Sequence, residues 1–258
     1  MKVVLLAGGL GTRIAADSHL KPKPMIEIGG KPILWHIMKG FAAQGFHEFI
    51  ICCGYRGEVI KQYFADYFLY HSDMTFDYRS GNTIEIHHNV AEPWRVTVVD
   101  TGLNTMTGGR IKRIRPYIED TPFMMTYGDG VSNVDINQLL EFHQRCGKAA
   151  TMTVVQPEGR FGVANLEGDQ VTSFREKSGL DVGWINGGFM VLEPAVFDYI
   201  EGDSTVFEKE PLEMLARGNN LAAFRHMDYW QCMDTQRDKQ LLEKLWEEGD
   251  APWKMWRD

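Results

Sequence analysis

A cluster of glycines and cations near the start of the chain suits an anionic ligand. The apolar run 2–7 leads directly into Gly8-Gly9-Leu10-Gly11-Thr12-Arg13, and Lys23 follows inside Lys21-Pro22-Lys23-Pro24. Glycines let a backbone approach a ligand closely, so that its N–H groups can point at an anion. Because Arg13 and Lys23 can reach the same place, the pattern indicates a polyphosphate rather than a single phosphate.

The glycine loop departs from two well-known phosphate loops. A Walker A loop ends in Gly-Lys-Ser/Thr, and no lysine follows Gly11. A dinucleotide-binding loop has a third glycine where this chain has Ile14, and its acidic residue, about 20 positions on, is met only loosely by Glu27. A strand-to-helix turn without a ligand is the remaining alternative, and the two added cations argue against it.

Two acidic residues follow strand-like segments elsewhere in the chain. Asp129 lies in Tyr127-Gly128-Asp129-Gly130, and Asp234 lies between the run 230–233 and a predicted helix. Each also has a structural alternative, because Asp-Gly is a common turn pair and Asp is a common helix N-cap. The glycines beside Asp129 leave room for a ligand next to its carboxylate, so a functional role stays open beside the structural one.

The elements that would position these residues alternate between strands and helices in the first half of the chain. This pattern predicts an α/β fold with a Rossmann-like mixed, mostly parallel sheet flanked by helices. The glycine loop and Asp129 both follow strand ends, and in such sheets ligands bind beyond the carboxyl ends of the strands. We therefore expect the loop and Asp129 to lie at the same edge of the sheet.

We predict a single domain over residues 1–258 with three specialised parts. Residues 71–101 read as an inserted hairpin that makes subunit contacts, and 149–234 read as a smaller β-rich part. Residues 235–258 read as a C-terminal helix and tail. The hairpin prediction rests on two strand-like runs around Gly81-Asn82.

Composition excludes several classes of protein. The net charge of −8 argues against a nucleic-acid surface, although it allows a nucleotide, which needs only a few local cations or a metal. No apolar stretch approaches the length of a membrane span, and because Met1 leads directly into the first strand we expect no signal peptide. The four cysteines form no Cys-x-x-Cys pair, so we expect reduced thiols in a cytoplasmic protein.

The motifs together resemble those of the sugar-1-phosphate nucleotidylyltransferases. The segment 6–13 with Lys21-Pro22-Lys23-Pro24-Met25 is similar to the signature of that superfamily, and the likeness runs from Met1 to the Trp-rich tail. Later segments point to the cytidylyl branch, which joins CTP to glucose 1-phosphate. They are Trp35-His36-Ile37-Met38, Ile51-Cys52-Cys53-Gly54-Tyr55, Met106-Thr107-Gly108-Gly109-Arg110, Tyr127-Gly128-Asp129-Gly130, Ile185-Asn186-Gly187-Gly188-Phe189 and Met233-Asp234-Thr235.

The resemblance implies a role for each motif residue. It implies that Arg13, Lys23 and Asp129 are catalytic, and that Asp129 and Asp234 bind Mg²⁺. Nucleotide-binding positions by this likeness are Leu6, Ala7, Gly8, Gly9, Gly11, Thr12, Arg13, Lys23, Thr105, Arg110 and Gly128. Sugar-phosphate positions by the same likeness are Glu176, Lys177, Asn186 and Gly187, so the resemblance identifies 149–234 as the sugar-phosphate-binding part. The superfamily's usual Glu-Lys-Pro reads Glu-Lys-Ser here, because Ser178 replaces the proline.

The implied activity is transfer of a cytidylyl group from CTP to glucose 1-phosphate, giving CDP-glucose and pyrophosphate, for deoxysugar and O-antigen biosynthesis. Three alternatives stay open at this point. Another nucleoside triphosphate, such as dTTP or UTP, or another sugar 1-phosphate could be used. The chain could instead be a sugar-nucleotide-sensing module without catalysis, or an NAD-dependent oxidoreductase, which the missing third glycine disfavours. We expect a homo-oligomer without nucleic-acid or membrane partners.

Overall fold

The structure, a computed structural model, describes residues 1–9, 11, 21–79, 81–156, 163–167, 170–175 and 183–257, with the backbone alone for 163–167 and 171–175. The strands in this part are β1 (Val3–Ala7), β2 (Glu27–Ile28), β3 (Lys31–Pro32), β4 (Glu48–Cys53), β5 (Ser72–Asp77), β6 (Thr83–Asn89), β7 (Arg95–Asp100), β8 (Phe123–Tyr127), β9 (Gly130–Ser132), β10 (Ala150–Val155), β11 (Val163–Glu167), β12 (Gln170–Arg175), β13 (Ile185–Leu192), β14 (Leu221–His226) and β15 (Trp230–Cys232). The α-helices are α1 (Ile33–Ala42), α2 (Gly57–Tyr70), α3 (Thr107–Arg113), α4 (Ile136–Cys146), α5 (Glu210–Arg217) and α6 (Gln236–Glu247).

Seven strands form one mixed sheet in the order β14, β10, β13, β8, β1, β4, β7. β8, β1, β4 and β7 run parallel to one another, and β10 runs parallel to β14. Only β13 among these seven is antiparallel to its neighbours. The predicted mixed, mostly parallel sheet is therefore confirmed. Because β13 runs the opposite way, its amino end lies at the same edge as the carboxyl ends of β1 and β8.

Apolar cores cover both faces of this sheet. Successive strand residues point to opposite faces, so Val3 and Leu5 belong to one core while Val4 and Leu6 belong to the other. Helices α1, α2, α4 and α6 contribute apolar side chains to the first core, and α3 and α5 contribute to the second. Burial on both faces explains why β1 reads as a continuous apolar run rather than an alternating one.

Smaller antiparallel pairs extend from the sheet. β5 and β6 form a separate two-stranded hairpin, whereas β7 of the region 71–101 joins the main sheet as its edge strand. The C-terminal tail returns to the body of the protein, where buried Trp253 stacks on Tyr229 and Trp246. None of the helices in the described residues combines the length and the apolar character needed to cross a membrane.

Candidate active site

The glycine loop after β1 lies over a buried arginine. The Arg110 side chain comes from α3 and is 5% exposed, and a Cβ added at Gly8 would lie only 2.2 Å from Arg110 Nη1. Only glycine therefore fits at position 8 without displacing the guanidinium. The guanidinium donates hydrogen bonds at 2.7 to 3.3 Å to the Thr101 hydroxyl and to the backbone carbonyls of Gly8, Cys53, Gly102 and Leu103.

This arrangement gives Arg110 a structural task that the sequence did not suggest. Its donors bind carbonyl oxygens at the end of β4 and just beyond the ends of β1 and β7, so it ties three strand ends together at the carboxyl edge of the sheet. Burial lowers the pKa of Arg110, which shows that its charge is held at some cost in solvation. A positive charge beneath the glycine loop raises the local potential for an anion. Direct contact between Arg110 and a nucleotide stays a prediction.

Lys23 projects from a short, stiff segment. Residues Lys23–Met25 form a 3₁₀ turn in which the N–H of Met25 donates to the carbonyl of Pro22 at 2.8 Å. Pro24 is buried against Gly128, where an added Cβ would lie 3.0 Å from the proline ring. The two prolines fix φ around Lys23, and the glycine lets the segment pack directly on the end of β8. Lys23 is thereby held beside Asp129.

A two-stranded ribbon brings the two predicted metal ligands together. β9 pairs antiparallel with β15, with Gly130 opposite Cys232. One residue beyond this pair, the N–H of Met233 donates to the carbonyl of Asp129 at 2.8 Å. Asp129 and Asp234 are far apart in the chain, and this ribbon places them side by side.

The ammonium of Lys23 bridges both carboxylates. Lys23 Nζ lies 2.6 Å from Asp129 Oδ2 and 2.6 Å from Asp234 Oδ1, so the two oxygens lie within twice that distance of each other. Burial alone would lower the pKa of Lys23, but the charges and hydrogen bonds of the two aspartates outweigh it and raise that pKa. The ammonium therefore stays charged at neutral pH, and its contribution to the ion pairs is lost as the pH rises through this raised pKa.

The same pair of carboxylates fits a divalent metal ion. Both acids are about one-third exposed and direct an oxygen at one shared point, which is the chemistry that Mg²⁺ requires. Within the described ranges, no group of three or more His, Cys, Asp or Glu side chains is arranged to hold a metal. Two carboxylates with further positions left for phosphate oxygens and water are typical of Mg²⁺ sites rather than of closed zinc sites.

Asp234 does not serve as the cap of the following helix. The N-cap of α6 is Thr235, whose hydroxyl accepts from the N–H of Asp238 at 3.2 Å, while the Asp238 carboxylate accepts from the N–H of Thr235 at 2.8 Å. This reciprocal capping box satisfies the helix start. The alternative reading of Asp234 as an N-cap is therefore wrong, and its carboxylate faces Lys23.

Two adjoining clefts meet at the acidic pair. The first, of about 410 Å³, lies along the glycine loop, and the second, of about 330 Å³, lies between β13 and β15. Tyr127, Asp129 and Asp234 line both. The first cleft is also lined by the predicted nucleotide-binding residues Leu6, Ala7, Gly8, Gly9, Gly11, Lys23, Thr105, Arg110 and Gly128. Asn186 and Gly187, predicted for the sugar phosphate, line the second.

Four predicted site residues lie outside the described residues, namely Thr12, Arg13, Glu176 and Lys177. Their assignments stay predictions. The remaining residues predicted for the nucleotide line the first cleft, and those predicted for the sugar phosphate line the second. Their contact with a substrate stays a prediction.

Sequence reasoning missed the side chains that join the two clefts. The Tyr127 hydroxyl donates to Glu208 Oε1 at 2.5 Å and accepts from Asn186 Nδ2 at 3.2 Å. Burial, together with the charge of Glu208, raises the pKa of Tyr127. Trp230 Nε1 donates to the carbonyl of Gly187 at 2.7 Å. Tyr127 could have been suspected because it directly precedes Gly128-Asp129, but nothing in the sequence pattern marks Glu208.

A larger cleft of about 570 Å³ lies elsewhere, between α2 and the ribbon formed by β2 and β3. Tyr63, Tyr67 and Tyr70 line it, and none of the predicted site residues does. It contains neither the glycine loop nor the acidic pair, so size alone does not identify the candidate site.

Known proteins are similar to this chain over nearly its whole length. A family model described as "Nucleotidyl transferase" matches residues 2–244. The chain is 56% identical to "Glucose-1-phosphate cytidylyltransferase" of Salmonella typhi, across 99% of this chain and 100% of that protein. It is 44% identical to "Probable glucose-1-phosphate cytidylyltransferase" of Bacillus subtilis, across 99% of this chain and 100% of that protein.

Solved structures share the fold. HddC from Yersinia pseudotuberculosis superposes with a TM-score of 0.69 at 26% identity, covering 95% of this chain and 99% of HddC. A UDP-glucose pyrophosphorylase complexed with UDP-glucose superposes with a TM-score of 0.69 at 15% identity, covering 96% of this chain and 98% of the other. At that identity the second likeness concerns the fold alone.

Proposed function

The chain belongs to the nucleotidyl transferase family, and we propose that it transfers a cytidylyl group from CTP to glucose 1-phosphate, giving CDP-glucose and pyrophosphate. The observation that carries this proposal is the meeting of two clefts at one acidic pair. A reaction between two anionic substrates needs two pockets that share a source of positive charge. The cleft along the glycine loop suits the triphosphate, and the cleft beside Asn186 suits the sugar phosphate.

The chemistry requires positioning and charge neutralisation rather than proton transfer. The sugar phosphate is already an anionic nucleophile, so no general base is needed. One of its oxygens attacks the α-phosphorus of CTP in line. A new P–O bond forms, the bond to the β-phosphate oxygen breaks, and the electron pair leaves with pyrophosphate. Lys23 stabilises the charge that spreads over the transferring phosphoryl group.

We infer that Asp129 and Asp234 would hold Mg²⁺. Nucleotidyltransferases of this family generally use a divalent metal ion. When bound, the ion would supply Lewis-acid stabilisation of phosphate oxygens. The chain's own contribution is to hold both carboxylates at one point through the β9–β15 ribbon. Lys23 lies against both carboxylates in the described structure, so it would turn from them toward the nucleotide once another cation neutralises them.

The base and the sugar are supported by the relatives rather than by the geometry. The Salmonella typhi and Bacillus subtilis proteins carry the name glucose-1-phosphate cytidylyltransferase at 56% and 44% identity over essentially their whole length. Base choice depends on a few hydrogen bonds in the pocket, which the fold shared by distant relatives does not fix. We extend the proposal to synthesis of CDP-glucose for deoxysugar and O-antigen production in the cytoplasm. The free state of all four cysteines is in keeping with a reducing compartment.

The test is a matrix of nucleoside triphosphates against sugar 1-phosphates, with Mg²⁺, in which released pyrophosphate is measured. We expect the highest kcat/KM for CTP with glucose 1-phosphate. A higher value for dTTP or UTP would move the assignment to another branch of the family. Protection against thermal unfolding by the substrates without any pyrophosphate would instead indicate a sensing module.

We also propose that the protein is a homo-oligomer assembled through the hairpin of β5 and β6. Its apolar side chains are far from buried: Tyr78 is 75% exposed and Ile84 is 56% exposed. A two-stranded hairpin is only marginally stable by itself, and apolar patches of this kind often mark interfaces between proteins.

Light scattering at micromolar concentration tests this assembly, and we expect a mass that is a multiple of the chain's 29.5 kDa. Ile84→Lys with Ile86→Lys should shift the mass toward the monomer because both side chains lie on the exposed hairpin. A wild-type protein with the mass of one chain would contradict the proposal.

A further inference from the structure

Glu208 forms a fork between the two clefts. It lies in the segment before α5, and each carboxylate oxygen accepts a hydrogen bond from a different hydroxyl. Tyr127 donates to Oε1 at 2.5 Å, and Thr107 donates to Oε2 at 2.5 Å. Thr107 begins α3 and lines the cleft along the glycine loop, while Tyr127 ends β8 and lines both clefts.

The carboxylate fixes the direction of every hydrogen bond in this network. An ionised carboxylate can only accept, so the single proton of the Tyr127 hydroxyl must point at Glu208. The Tyr127 oxygen then faces Asn186 with a lone pair, and Asn186 must present its Nδ2 there, at 3.2 Å. The Oδ1 of Asn186 is consequently turned to the N–H of Gly188, which donates at 2.8 Å.

The same reasoning applies on the side of the glycine-loop cleft. The Thr107 oxygen accepts from the N–H of Phe207 at 2.9 Å and donates its proton to Glu208. Glu208 thus ties its own segment to the start of α3. Glu208 thus orients Thr107 directly in one cleft and Asn186 through Tyr127 in the other. None of these hydrogen bonds involves Asp129 or Asp234.

Resting on the proposed function, we propose that Glu208 is a positioning residue that sets the orientation of Asn186 toward the sugar phosphate through Tyr127, while anchoring Thr107 beside the nucleotide. Glu208 is not among the described residues that line either cleft. Charged acceptors bound by two hydroxyls at short distance are stronger and more directional than neutral ones.

Glu208→Gln tests this role because it preserves shape and removes the acceptor-only character. In either orientation of the amide, its NH₂ group faces one of the two hydroxyls, which then loses its acceptor. We expect kcat/KM for glucose 1-phosphate to fall by roughly tenfold or more, mainly through a higher KM for the sugar phosphate. The melting temperature should change little.

A double-mutant cycle separates positioning from a general structural role. Tyr127→Phe breaks the path from Glu208 to Asn186, so the double variant should be no worse than the poorer single variant. Glu213→Gln is the matched control, since Glu213 is exposed and pairs only with Arg217 among its ion pairs in the described structure, and it should behave as wild type.

An unchanged KM for glucose 1-phosphate in Glu208→Gln would overturn the proposal, and so would independent, multiplying effects of the two substitutions. A loss of kcat that tracks lower melting temperature, with both KM values unchanged, would also overturn it in favour of a structural role. If the wild type releases no pyrophosphate from CTP and glucose 1-phosphate, the proposed function itself has failed, which is a distinguishable outcome.

Discussion

Asp129→Asn should lower the rate of pyrophosphate release by about a thousandfold or more while leaving the fold intact. The substitution keeps the shape of the side chain and keeps an oxygen that can accept from Lys23, so the packing at the end of β8 is preserved. It removes one of the two charges that converge on the shared cation position. The measurements are steady-state release of pyrophosphate, the melting temperature and circular dichroism.

Asp250→Asn is the matched control for this experiment, because Asp250 is exposed and the same chemical change there should leave the rate as in wild type. Calorimetry with Mg²⁺ adds a readout that does not depend on turnover, and we expect weaker binding to Asp129→Asn. Near-normal pyrophosphate release by this variant would refute the metal assignment.

Lys23→Met should lower the turnover number by about a hundredfold to a thousandfold and, in the absence of nucleotide, strengthen binding of Mg²⁺. Methionine fills a similar volume but cannot neutralise the two carboxylates that lie within 2.6 Å of the ammonium. With the ammonium gone, the mutual repulsion of the acids is relieved only by another cation. The melting temperature of the variant should therefore rise more on adding Mg²⁺ than that of the wild type.

Lys21→Met provides the comparison for Lys23→Met, since Lys21 is half-exposed and pairs with half-exposed Glu27. Exposed pairs of this kind contribute little, so both turnover and metal binding should stay near wild type. The assignment of Lys23 would be untenable if its removal reduced Mg²⁺ affinity, because the ammonium would then act with the metal rather than in its place.

Local sequence patterns predicted the parts of the site that depend on neighbouring residues in the chain. A buried strand followed by glycines indicates where the loop lies. Because β1 and β8 are parallel, their carboxyl ends lie at the same edge of the sheet, and the prediction that Gly8 and Asp129 share that edge was correct. The predictions of a mostly parallel sheet and of the family were also confirmed, because both rest on patterns that are continuous in the chain.

The remaining geometry depends on pairings between distant segments, which periodicity does not encode. Nothing local indicates that Gly130 pairs with Cys232, and this register decides that Asp129 and Asp234 share one cation. The buried position of Arg110 likewise follows from three strand ends that meet in space. Glu208 carries no motif at all, because its importance comes from two hydroxyls contributed by other elements.

The ribbon of β9 and β15 has a consequence for synthesis of the protein. The glycine loop and β8 leave the ribosome well before residues 230–234, so the second carboxylate is supplied only by that late segment. The acidic pair is therefore complete only when nearly all of the chain has been made, and a chain cut short before β15 would lack it.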